Sequence, residues 1–219
     1  MESSVDRPSK QKQLEELEQE MAADVSLPLR DSNLVFGEGN PESAVIFIGE
    51  APGFHEDRLK RPFVGLSGKL LDKLINEIGW KREDIYITNI VKRRPPENRD
   101  PLPDEIGAYQ PYLERQIAIM KPKVAATLGR FSMNHFLPEA KISRDQGKIF
   151  RFKDFLVVPF FHPAAALRST TMLEALKKSF KELPEIVRGA ESLLRELPAS
   201  DAGGTRVAKA EAPTQKKLF

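Results

Sequence analysis

Ala44-Val45-Ile46-Phe47-Ile48, followed at once by Gly49-Glu50-Ala51-Pro52-Gly53, is the stretch that decides the fold. A short apolar run, rich in β-branched residues and broken by glycine and proline, predicts a buried parallel strand ending in a loop. Ligands of open α/β sheets bind beyond the carboxyl ends of the strands, so chemistry belongs in this loop. It carries Glu50, then Glu56 and Asp57, and leads into Arg61-Pro62-Phe63-Val64-Gly65. Acids, a backbone loosened by glycine and an aromatic ring suit a flat polar ligand such as a base.

Working outward, Leu70, Leu71, Leu74, Ile75 and Ile78 form an apolar stripe that predicts a helix over 66–78. A second strand is expected over 85–90, a helix over 103–120 and a strand over 124–128. Pro103 falls in the first helical turn, where proline is tolerated. A short helix over 131–136 and a hairpin of 149–152 with 155–161 follow. The last helix is expected over 171–195, interrupted at Pro184. Upstream, residues 11–21 read as an acidic helix with Leu14, Leu17 and Met21 at helical spacing, and 24–41 reads as loop. Strands alternating with helices imply a parallel sheet covered on both faces. Past Pro198 the composition cannot bury a core, so the tail to about Thr214 is expected to be disordered.

A chain of 219 residues fits one ordinary domain, and 40% hydrophobic with 30% charged residues is normal for a soluble globular protein. No stretch approaches the roughly 20 apolar residues that span a bilayer. Residues 1–12 are polar and lack the apolar core of a signal peptide, so a cytoplasmic protein is expected. The net charge is only +2, but its distribution is uneven. Lys92, Arg93, Arg94 and Arg99 share one loop, and Lys121, Lys123, Arg130, Arg144 and Arg168 lie near others. A basic patch beside the site would attract phosphates in a salt-dependent way.

Each expected strand ends in a distinctive loop. Asn89 precedes Ile90-Val91-Lys92-Arg93-Arg94-Pro95-Pro96-Glu97-Asn98-Arg99, Leu128-Gly129-Arg130 ends the run 123–127, and His162-Pro163-Ala164-Ala165-Ala166-Leu167-Arg168 follows 155–161. In that order these pieces resemble the family-4 uracil-DNA glycosylases from about residue 22 to about residue 197. The resemblance implies an α/β/α sandwich around a central four-stranded, mostly parallel sheet. It also implies a glycosylase domain over 1–197, with 198–219 as a tail. The activity implied is hydrolysis of the N-glycosidic bond of uracil in DNA, which leaves an abasic site and starts base-excision repair. The implied protein is a monomer with no membrane partner.

Such an enzyme lifts the base out of the stack and reads it in a pocket. Phe63 offers a stacking face, and base–aromatic stacking is worth about 1–3 kcal/mol. The Asn89 amide can accept from uracil N3–H and donate to O4, a pattern that cytosine reverses. His162 matches the family histidine that donates to O2 as charge builds on the departing base. His135, in a short helical segment, is expected to be a packed or surface residue, and His55 matches no functional position. Glu50, with the Ala51 backbone, is the candidate to stabilise the oxocarbenium-like sugar and orient a water, and Glu56 shapes the pocket. Leu167 is the candidate wedge for the space left by the flipped base, beside Arg168. Lys92, Arg94, Arg99 and Arg130 complete the expected DNA contacts.

The resemblance breaks at the cluster. Family-4 members carry four cysteines that ligate a [4Fe–4S] cluster, whereas this chain has none. Their positions fall on Ala22, Val25, Arg93 and Tyr109, so no cofactor is expected. Ala22, Val25 and Tyr109 are expected to pack in the cluster's place, with Arg93 needing a partner. A non-catalytic uracil-DNA binding module that lost turnover with its cluster is the alternative, opposed by Glu50, Phe63, Asn89 and His162. A glycosylase that traps its product on a histidine after Asn89 is opposed by the lack of any histidine in 92–99. At the chain end, Gln215-Lys216-Lys217-Leu218-Phe219 places Gln215, Leu218 and Phe219 in the spacing of peptides that enter the pocket of the replication sliding clamp.

Overall fold

The apolar runs become four adjacent parallel strands, β2 (Val45–Gly49), β3 (Tyr86–Asn89), β4 (Val124–Leu128) and β6 (Phe155–Phe160), in a computed structural model that describes residues 8–198. Two short antiparallel strands flank them, β1 (Glu38–Gly39) on β3 and β5 (Phe150–Phe152) on β6. The order is β1-β3-β2-β4-β6-β5, so the sheet has six strands rather than the expected four. β5 is the first arm of the expected hairpin. β1 is a two-residue pairing inside a segment read as loop, too short to leave a period in the sequence.

Alternation along each strand divides the core in two. Ile46, Ile48, Ala125 and Val157 face α1 (Lys10–Ala23), α4 (Pro103–Met120) and α5 (Arg130–Phe136). Val45, Phe47, Ala126, Val158 and Phe160 face α3 (Leu66–Glu77) and α8 (Thr170–Glu196). The result is the expected α/β/α sandwich. Short helices α2 (Phe54–Leu59), α6 (Ile142–Asp145) and α7 (Pro163–Ala166) occupy the connections. α8 runs through Pro184 without the expected interruption. Proline removes a single helix hydrogen bond, and the buried stripe Leu176, Phe180, Leu183, Ile186 and Ala190 carries the helix across that gap.

From β2 the chain moves outward to β3, then crosses back to β4 on the other side of β2. That reversal opens a crevice at the carboxyl ends of β2 and β4, the place where such sheets bind ligands. The loops after β2, β3, β4 and β6 all converge there.

Lys92 corrects one sequence expectation. Assigned to DNA, it is fully buried, with Nζ donating to Thr88 Oγ1 and Gln116 Oε1, each at 2.5 Å. It has no surface to offer a phosphate. The reason is its position three residues past β3, where its side chain reaches inward to Thr88 and to Gln116 of α4. Burial holds its ammonium well below the usual lysine range, because a desolvated cation is disfavoured. Between that depressed value and the ordinary lysine value, the unfolded chain binds a proton that the folded chain does not. Stability therefore rises with pH across the window, by up to about 1.4 kcal/mol per pH unit. Denaturant unfolding at several pH values from 7 to 10 should show the wild type gaining stability relative to Lys92→Met; parallel curves would mean Lys92 titrates normally.

Candidate active site

Asn89 is the last residue of β3, and the parallel register sets it directly beside Gly49 of β2. It is 1% exposed, and its Oδ1 has no hydrogen-bond donor among the described residues. A buried acceptor left unpaired is costly and rare in a core, which marks Asn89 as a candidate ligand contact. Phe63 arrives from the other side of the same point. A methyl group on Gly49 would stand 2.4 Å from Asn89 Oδ1 and 2.6 Å from the Phe63 ring, so only glycine lets amide and ring meet here.

His162 follows β6 and caps α7, with its ring centroid 5.8 Å from that of Phe63. Its Nδ1 accepts from the Ala164 N–H at 3.1 Å. An accepting Nδ1 carries no proton, so the neutral ring holds its hydrogen on Nε2. Burial drives the imidazolium down to about 4, against a weaker opposing pull from Glu56. Near neutral pH this histidine is an uncharged donor. His135 packs edge-on against Phe136 and His55 lies exposed on α2, so neither joins the site.

Glu50 follows β2, its carbonyl accepting from Val91 N–H at 3.0 Å, which joins the loops after β2 and β3. Desolvation pushes its carboxyl up to about 7; Asp100 adds to the rise and Arg130 opposes it. Glu56 does other work. Its Oε1 accepts from the N–H groups of Val64 and Gly65 at 2.9 and 2.8 Å, which fixes the loop bearing Phe63. Ala51 is half-buried against the α1/α4 core. Glu50, Phe63, Asn89 and His162, distant in sequence, thus share one crevice.

The rim holds cations and the exposed apolar side chains Leu167 and Phe54. Leu167 is 50% exposed just past α7, with Arg168 exposed beside it. Arg94 lies over the Phe54 ring at 5.3 Å and donates to Asn98. Arg99 makes a two-pronged contact with Glu105, and Arg130 pairs with Asp100. Asp100, which bears on Glu50, and Arg82, which contacts the Phe63 backbone, were missed from sequence. Both sit in mixed-charge stretches that look like ordinary solvated surface.

The four cluster positions do not fit a [4Fe–4S] group, whose ligands are thiolates. The chain contains no cysteine, and among the described residues no set of acids and histidines is placed to hold a metal. The expected apolar packing fails in part: Val25 is 80% exposed and Ala22 lines an open cavity of about 620 Å³. Tyr109 is buried as expected, its hydroxyl donating to the Pro28 carbonyl at 2.7 Å, and buried Arg93 donates to the Ser32 carbonyl. Two long polar side chains on backbone carbonyls tie segment 28–32 to α4 and to the loop after β3.

Comparison with known proteins gives the family. A model of the Uracil DNA glycosylase superfamily matches residues 36–188. The type-4 uracil-DNA glycosylase of Sulfurisphaera tokodaii is 45% identical over 165 residues, 71% of this chain and 75% of that protein. That of Saccharolobus solfataricus is 46% identical over 163 residues, 70% and 76% of the two chains. That of Archaeoglobus fulgidus is 42% identical over 164 residues, 71% and 82%. With this crevice and these relatives, the chain belongs to the uracil DNA glycosylase superfamily and groups within it with the type-4 proteins.

Proposed function

We propose that the chain is a monofunctional uracil-DNA glycosylase, and the observation that carries the reading is the unpaired Oδ1 of buried Asn89. Uracil N3–H is the donor that this oxygen lacks, while the amide N–H₂ serves O4. Cytosine would set N3, an acceptor, against Oδ1 and an amino group against the amide donors. A site that must leave buried polar groups unpaired rejects such a base strongly.

The flipped base stacks on Phe63, and the Nε2–H of His162 donates to O2. When the C1′–N1 bond breaks, its electron pair passes to N1 and spreads onto O2, where the neutral histidine stabilises it. The sugar becomes oxocarbenium-like. Glu50 as carboxylate stabilises that cation and takes a proton from the water that attacks C1′, leaving an abasic site. Arg94, Arg99, Arg130 and Arg168 meet phosphates, and Leu167 enters the stack. No amine serves as nucleophile, so the backbone stays uncut. The catalytic unit is residues 1–197. Residues 199–219, which include Gln215, Leu218 and Phe219, lie outside the described residues, and we assign 198–219 as a tether whose end binds the sliding clamp.

His162→Ala and Asn89→Ala should each slow single-turnover uracil release by about 100- to 1000-fold, the usual cost of a lost transition-state donor. A near-wild-type rate for His162→Ala would remove the leaving-group role. Since Glu50 is needed ionised and its carboxyl is held at about 7, kcat/KM should fall as pH drops below that value. Burial keeps His162 neutral above about 4, so it adds no limb near neutrality. Glu50→Gln should lose both the acid limb and about 100-fold or more in rate; an unchanged limb would assign it to another group. Deleting residues 215–219 should abolish clamp binding and leave release from free oligonucleotide unchanged, as expected for a tether that raises local concentration. Clamp binding that survives the deletion would place the contact elsewhere.

A further inference from the structure

Phe63 adopts a left-handed backbone, φ +50°, which a bulky residue holds only when its surroundings over-determine it. The surroundings are unusual. Arg82, in a single 3₁₀ turn just before β3, donates from Nη2 to the Pro62 carbonyl at 2.5 Å and from Nη1 to the Phe63 carbonyl at 3.2 Å. The same guanidinium is anchored by Asp72 of α3 (2.7 Å) and Glu38 of β1 (2.9 Å from Nε). Glu38 is held in turn by Arg61 at 2.6 Å. Gly68 backs the Phe63 carbonyl so closely that a methyl group there would stand 1.8 Å from the oxygen. Glu56 holds the next two N–H groups.

We propose that Arg82 is a positioning residue for the reaction: by holding the carbonyls of Pro62 and Phe63 it pre-sets the Phe63 ring as the face on which the base stacks. An ion pair joining β1 to α3 would need only the carboxylates; the bonds to two consecutive carbonyls act on Phe63 itself. The planar fork of donors serves two acids and two carbonyls at once, which the compact ammonium of lysine cannot do. The proposal rests on Phe63 being the stacking face in the function proposed above.

The test compares Arg82→Lys in the wild-type and Phe63→Ala backgrounds, measuring single-turnover uracil release and inhibition by free uracil. With Phe63 present, both should weaken by about 10- to 100-fold, the cost of a misplaced binding group. In the Phe63→Ala background the substitution should add little, because residues acting through one another are not additive. Equal losses in both backgrounds, or unchanged inhibition by uracil, would overturn the proposal. If Arg82→Lys does not fold, Asp72→Asn loosens the same guanidinium and must show the same dependence on the Phe63 ring; losses independent of that ring would again overturn it. A wild type that releases no uracil would count against the proposed function, whereas an active wild type with a neutral Arg82→Lys counts against this inference alone.

Discussion

The parallel ladder that sets Gly49 beside Asn89, Ile48 beside Thr127 and Leu128 beside Phe160 is the constraint on which the rest depends. Because the strands share one direction and nearly one register, their following loops open side by side. The Asn89 amide, the Phe63 ring, the His162 imidazole and the Glu50 carboxylate then come to one place without any long excursion of the chain. The ladder also makes glycine obligatory at position 49, where a side chain would fill the space between amide and ring. Backbone pairing, fixed by the buried apolar faces of the strands, thus decides the geometry of the chemistry.

Desolvation then sets the protonation of Glu50 and His162. The same loss of water raises Glu50 and lowers His162, since it penalises whichever form is charged. The histidine becomes a neutral donor with its tautomer set by the Ala164 N–H, and the acid is raised to about 7 by burial, with Asp100 adding to the rise and Arg130 opposing it. Groups whose environments push them apart in this way are candidates for acid–base roles. Lys92 obeys the same rule in a place without chemistry, where burial alone lowers it.

At the cluster positions the chain answers a different problem. A metal cluster joins distant segments through strong ligand bonds, and thiolates are required for it. Here Tyr109 and Arg93 reach backbone carbonyls at Pro28 and Ser32 instead. Hydrogen bonds are individually weak, at about 1 kcal/mol net each, so the join also draws on the buried α1 residues Leu14, Leu17 and Met21 packed over α4. Val25, 80% exposed, takes no part in this packing.

The sequence by itself determined the alternation of strands and helices, the sandwich class and the residues at each strand end. Apolar periodicity and the loop signatures are local properties, so Glu50, Asn89 and His162 were legible before any coordinates. The two-residue β1 and the passage of α8 through Pro184 were not, because pairing and packing with distant segments override weak local signals. Charge was misread for the same reason. Lys92, Arg82 and Asp100 look alike as surface residues in a list, and only the folded chain decides that one is buried, one grips the Phe63 loop and one bears on Glu50. A side chain's chemistry is written in its identity, but its solvent and its partners are set by residues far away in sequence.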